Sequence, residues 1–127
     1  MALSSTANAR ITWGVRLLLA LAFGAAGIAK LASVAAMVHV FEQIGLGQWF
    51  RYVTGVVEVT GAVLLLVPRT GFFGALLLGV TMACAVATHL LVIGGNPVPA
   101  AVLCALSGFV AYRLRPIGGL AVLMRAS

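Results

Sequence analysis

The sequence predicts an all-α protein, an antiparallel four-helix transmembrane bundle with a short amphipathic or re-entrant segment between the first and second spans. Three observations carry this. Hydrophobic residues fill 63% of the 127 positions, and the mean hydropathy is +1.18. Charged side chains are few, eight Lys and Arg against two Asp and Glu, too few to solvate the surface of a soluble domain this small. The apolar residues also fall into four runs divided by short polar or Gly/Pro breaks. A single membrane domain, 1–127, is the expected organisation.

A bilayer core of about 30 Å needs about 20 helical residues. The first run meeting this is Ile11 to Leu31. Arg10 and Arg16 ahead of its apolar part, with Ala22-Phe23-Gly24-Ala25-Ala26 inside it, also look like a signal and its cleavage region; we read the segment as a retained first span. The stretch from Ala32 to Gln48 is too polar to span. Its apolar positions, Met37, Val38, Val40, Phe41, Ile44 and Leu46, suit a short helix lying over the outer mouth of the bundle. Trp49 and Phe50 mark the interface at which the second span, Trp49 to Val67, begins. Pro68 ends it, because proline disfavours helical geometry in the residue before it. The third span runs from Thr70 to Ile93, and Gly94-Gly95-Asn96-Pro97 is a turn. The fourth runs from Val98 to Leu114, and the apolar tail Ile117 to Met124 is expected along the cytoplasmic interface. Short connections make neighbouring spans antiparallel.

Counting cations by side gives orientation. Arg10, Arg16, Arg69, Arg113, Arg115 and Arg125 fall on one side, and Lys30 and Arg51 on the other. The positive-inside rule then places both termini in the cytoplasm, in a multi-pass protein of the cell membrane. The net charge of +6 is thereby assigned to lipid headgroups; no basic groove with interleaved aromatics marks nucleic acid as a partner. Small residues recur at every fourth position of the third span, Gly71, Ala75, Gly79, Ala83 and Ala87. That row reads as a packing seam, inside the bundle or between protomers of a homo-oligomer.

Ionisable groups inside a bilayer are costly, so each is a functional candidate. Glu58 is the tenth of nineteen residues in the second span, which puts it at the midplane, with Gly55 and Gly61 leaving room beside it. Arg51 lies about 10 Å further out on nearly the same helical face. Lys30 and His89 sit near the outer ends of the first and third spans. His39 and Glu42 follow in the covering segment, three residues apart and so on one face. These groups gather in the outer half and predict a cavity opening outward, floored near Glu58. We take Glu58, His89 and Glu42 as candidate catalytic residues, and Lys30, His39, Arg51, Glu58 and His89 as candidate ligand-binding residues. The plainer reading makes Glu58 a helix clamp paired with Arg51 or Lys30. Two His and two Glu match no metal-ligand spacing, so no metal or resident cofactor is expected. Cys84 and Cys104 flank the turn near Gly95 at similar distance; they read as packing residues, or as a disulfide if they share a face.

The residues Arg16, Gly24-Ala25-Ala26-Gly27-Ile28-Ala29-Lys30-Leu31, Gly55-Val56-Val57-Glu58-Val59-Thr60-Gly61-Ala62 and Leu64-Leu65-Leu66-Val67-Pro68-Arg69 form a pattern. With Gly74-Ala75, Met82-Ala83, His89, Pro97 and Pro99 it resembles the DoxX-like family of four-helix membrane proteins over nearly the whole chain. The resemblance implies a link to membrane redox complexes, methylamine utilisation or the chaperoning of receptor assembly. The family is named from a subunit of a thiosulfate:quinone oxidoreductase, and its bundle is similar to sterol-isomerase-like membrane proteins. The positions the resemblance singles out here are Lys30, Glu58 and His89; the cysteines are not part of the pattern.

Three functions follow as expectations. The first is a protein that binds a quinone or another isoprenoid in the outer cavity as an accessory to a membrane redox partner. The second is a cofactor-free isomerase, cyclase or epoxide-opening enzyme, with Glu58 as acid or base on a lipid-like substrate. The third is a membrane assembly factor or scaffold, in which Glu58 is a clamp and the small-residue seam binds partners.

Overall fold

A computed structural model describes residues 5–116. Arg125 and the tail Ile117 to Met124 lie outside the described residues. Among the described residues the chain is helical, with no strand, in the order α1 (Ser5–Leu31), α2 (Ala35–Ile44), α3 (Trp49–Leu66), α4 (Gly71–Thr88) and α5 (Val98–Leu114). A π-helical turn, His89–Ile93, continues α4. Three segments, Ser5–Leu31, Trp49–Leu66 and Gly71–Ile93, are long and apolar enough to cross a membrane. α5, with 17 residues, reaches the lower limit of a spanning helix. The helices follow the four apolar runs, with α1 beginning six residues before Ile11.

Each boundary has a local cause. The left-handed Gly45 (φ 84°) closes α2, its N–H donating to the Phe41 carbonyl, the usual role of glycine past a helix end. Thr70 Oγ1 donates to the Leu64 carbonyl at 2.9 Å, satisfying an end of α3 that Pro68 prevents from continuing. Gly94 and Gly95 both take positive φ and turn the chain into α5, whose first N–H groups include Val98, donating to Asn96 Oδ1 at 3.0 Å.

The four long helices pack in an up-down order, most extensively α1 on α3 and α4 on α5, with α3 on α4 between and α1 touching α5 to close the ring. Two antiparallel arginines tie α1 to α3 at both ends. Arg16, in α1, donates from Nε to the Leu65 carbonyl at 2.8 Å and from Nη2 to the Val67 carbonyl at 3.0 Å. Arg51, in α3, donates from Nη1 to the Lys30 carbonyl. Each guanidinium thus caps the carbonyl end of the neighbouring helix, where unpaired acceptors and the negative end of the helix dipole meet.

Between the caps, helices approach through glycines, as membrane interfaces require. A Cβ on Gly27 would stand 2.8 Å from the Gly55 carbonyl, and one on Gly74 would stand 2.8 Å from the Leu65 nitrogen. Within the bundle the small-residue row on α4 packs only in its first part: Gly71 and Ala75 are buried, Gly79 is half-buried, and Ala83 and Ala87 are exposed. The packed core, with Leu19, Phe23, Leu65, Leu78 and Val110 at its centre, lies towards the end of the bundle that carries the termini. The opposite end is roofed by α2, which buries Phe41 and turns His39, Glu42 and Gln43 outward.

Candidate functional site

Beneath α2 lies a cavity of about 430 Å³. α2 contributes Met37, Val40, Phe41 and Ile44 to its roof, and it reaches as deep as Phe23, Glu58 and Met82. This is within the size range of small-molecule sites, about 300–1,000 Å³. Its wall is overwhelmingly apolar, so the few polar groups define what it can recognise.

The deepest polar group is Glu58, fully buried in α3. Lys30 reaches it from the last turn of α1, Nζ to Oε1 at 2.8 Å. Gly55, one turn before Glu58, makes this possible: a side chain there would begin 3.1 Å from Lys30 Cβ. Gly61, on the other flank, makes room for Leu78 of α4 rather than for the carboxylate; a Cβ there would stand 2.5 Å from the Leu78 side chain. The ion pair uses one of the three ammonium donors, and both residues line the cavity.

Facing them from the π-helical turn is His89. Its Nδ1 lies 2.9 Å from the Ala85 carbonyl. A carbonyl only accepts, so Nδ1 is the donor in this contact, and in that tautomer Nε2 is an acceptor. A π-turn widens the helix locally and often occurs at functional positions.

Of the sequence candidates, the structure brings Lys30, Glu58 and His89 into one cavity. Arg51 is buried but outside the lining: besides capping α1 it donates from Nε to Gln48 Oε1 at 2.8 Å, and Gln48 Nε2 donates to the Val38 carbonyl at 3.1 Å. This relay fastens α2 to the bundle. His39 and Glu42 stand on the exposed face of α2, apart from the cavity. Cys84 and Cys104 are free thiols; Cys104 donates to the Gly79 carbonyl at 3.5 Å, more than a helical turn along α4 from Cys84. Among the described residues no three His, Cys, Asp or Glu side chains gather as metal ligands.

The sequence reading passed over Thr54, Thr81, Thr88 and Asn96, which also line the cavity. The three threonine hydroxyls each donate to the carbonyl four residues back, at 2.8 Å, so they offer the cavity acceptors only. Spacing held the signal: Thr54 is four residues before Glu58, and Thr81 and Thr88 are seven apart, each on one helix face.

The site therefore combines a long apolar chamber, an ammonium with donors to spare, a carboxylate and an imidazole acceptor. It suits a lipophilic molecule with one polar, oxygen-bearing end. The sequence matches the DoxX-like family over residues 14–110, a stretch that contains every residue of this cavity. No match was found among curated proteins or among solved structures. With its apolar membrane-length helices and a family match over most of its length, this chain is a membrane protein and belongs to the DoxX-like family.

Proposed function

We propose that the protein binds a quinone or a related isoprenoid with an oxygenated head in the cavity under α2, as an accessory to a membrane redox partner. The observation that carries this reading is the Lys30–Glu58 pair, which lines a largely apolar chamber. A buried ion pair is a weak source of stability, since desolvation offsets most of its attraction; an ammonium left open to a cavity is suited to a ligand carbonyl. In this reading Lys30 donates to one ring oxygen and His89 Nε2 accepts from a hydroxyl of the reduced form, while the isoprenoid chain lies against Met37, Phe41 and Leu103. The chain's lipid environment supplies such molecules directly. The six-to-two cation distribution supports a cell-membrane protein with cytoplasmic termini and a cavity near the outer face.

A second reading is favoured by one specific observation: a carboxylate and a proton-accepting imidazole line the same chamber. Such a pair serves acid–base chemistry on a lipid-like substrate, with Glu58 and His89 exchanging a proton with it.

The test is mass spectrometry of the apolar molecules that co-purify with wild type and with Glu58→Gln. A quinone retained by the wild type and lost from the variant is the expected result. A terpenoid or sterol-like molecule in its place favours the acid–base enzyme. Bulk phospholipid alone in both samples rejects the ligand site and leaves an assembly role.

A further inference from the structure

The end of the bundle opposite α2 has a second hollow, of about 330 Å³, lined in part by Thr12, Trp13, Arg16, Arg113 and Leu114. Arg16 is only 3% exposed, and its placement is enforced from three sides. It is held by the Leu65 and Val67 carbonyls. Its guanidinium carbon stands 3.8 Å from the centre of the Trp13 ring. Gly71 leaves its berth open, since a Cβ there would lie 2.5 Å from Arg16 Nη2. Arg113, exposed in the last turn of α5, reaches the same hollow.

The carbonyls occupy two of the five Arg16 donors, and they do not neutralise its charge. Neither does any Asp or Glu, because the sequence has only Glu42 and Glu58, and both belong to the other half of the bundle. Two guanidiniums beside one hollow, with no Asp or Glu side chain in that half of the bundle, call for an external anion. Planar guanidinium forks fit a phosphate through paired hydrogen bonds. At the ends of membrane-length helices the phosphates at hand are those of lipid headgroups. An apolar track continues from the hollow: Leu17 and Leu21 follow Trp13 at four-residue spacing on α1 and are 55% and 73% exposed, as acyl chains would require.

We propose that this hollow is a discrete site for the phosphate of an anionic phospholipid, gripped by Arg16 and Arg113 beside Trp13, with its acyl chains along Leu17 and Leu21. It is independent of the ligand proposed for the cavity under α2.

The experiment titrates the detergent-solubilised protein with phosphatidylglycerol, phosphatidylcholine or inorganic phosphate and counts bound molecules by native mass spectrometry. Wild type, Arg113→Gln and Arg69→Gln are compared. Arg113 and Arg69 are both exposed, so neither change threatens the fold, and Arg69 lies outside the hollow. The expected result is one saturable phosphatidylglycerol, bound about fivefold more weakly by Arg113→Gln, with Arg69→Gln like wild type and no tight phosphatidylcholine. Equal weakening by the two variants overturns the site in favour of diffuse attraction. Saturation by inorganic phosphate alone, at the concentration at which phosphatidylglycerol binds, overturns the lipid assignment and leaves a free-anion site.

Discussion

The two halves of the α4 segment are equally apolar and meet different fates. From Gly71 to Met82 the helix buries Gly71, Gly74, Ala75, Leu78 and Met82. From Ala83 through the π-turn to Ile93 no residue is buried. Hydropathy does not separate them; what lies opposite does. The first half meets glycines and the core of α3 at close range, while the second half borders the cavity on one side and lipid on the other. One half of the bundle is built by approach and the other by standing apart, and the polar residues that stand apart are the ones with chemistry to offer.

The largest test of this contrast is the ion pair in the hollow half. Lys30→Met leaves the Glu58 carboxylate buried without its partner, and we expect a loss of about 3–5 kcal/mol, read as a lowered thermal midpoint in detergent. Lys30→Met with Glu58→Met replaces both charges by apolar groups and should return stability close to wild type. A double variant as unstable as the single one would show that the pair is not the cause. Next is the packed half: Gly74→Ala drives a methyl against the α3 backbone and should cost about 1–3 kcal/mol. Ala87→Leu, exposed in the other half, should cost nearly nothing; equal losses would erase the distinction. The smallest effect is expected on the outer face of α2. Glu42→Gln should stay within about 0.5 kcal/mol of wild type and keep whatever the cavity binds, so loss of that ligand would return Glu42 to the site.

Much of this was legible in residue order. Run length and Pro/Gly breaks located the four long helices, and the central position of Glu58 in its run located the depth of the site. Antiparallel connections placed Lys30 and His89 together in the half beyond Glu58, but that all three line one cavity depends on helix rotation, which residue order does not give. Rotation and reach were harder to read. Arg51 lies seven residues before Glu58, nearly on its face, but its long side chain turns towards the end of α1, where a bare carbonyl attracts it more than the cavity does. His39 and Glu42 do share a face of α2; it is the opposite of the face set by Met37, Phe41 and Ile44, so burying those three turns the polar pair outward. Counting from the turn put Cys84 and Cys104 at similar depth, whereas the Cys104 thiol meets the Gly79 carbonyl, five residues from Cys84 along α4; residue counts do not fix how far two helices slide past each other.

The reciprocal arginine caps bear on how the chain enters the membrane. Arg16 finds its acceptors 49 and 51 positions later in the chain, and Arg51 finds one 21 positions earlier. Either helix alone would leave its arginine without these carbonyl acceptors and its own carbonyl end without a cap. Insertion of α1 is therefore thermodynamically unfinished until α3 has been synthesised and laid beside it. The two caps thus make α1 and α3 one mutually dependent pair, closed at both ends, against which α4 and α5 pack.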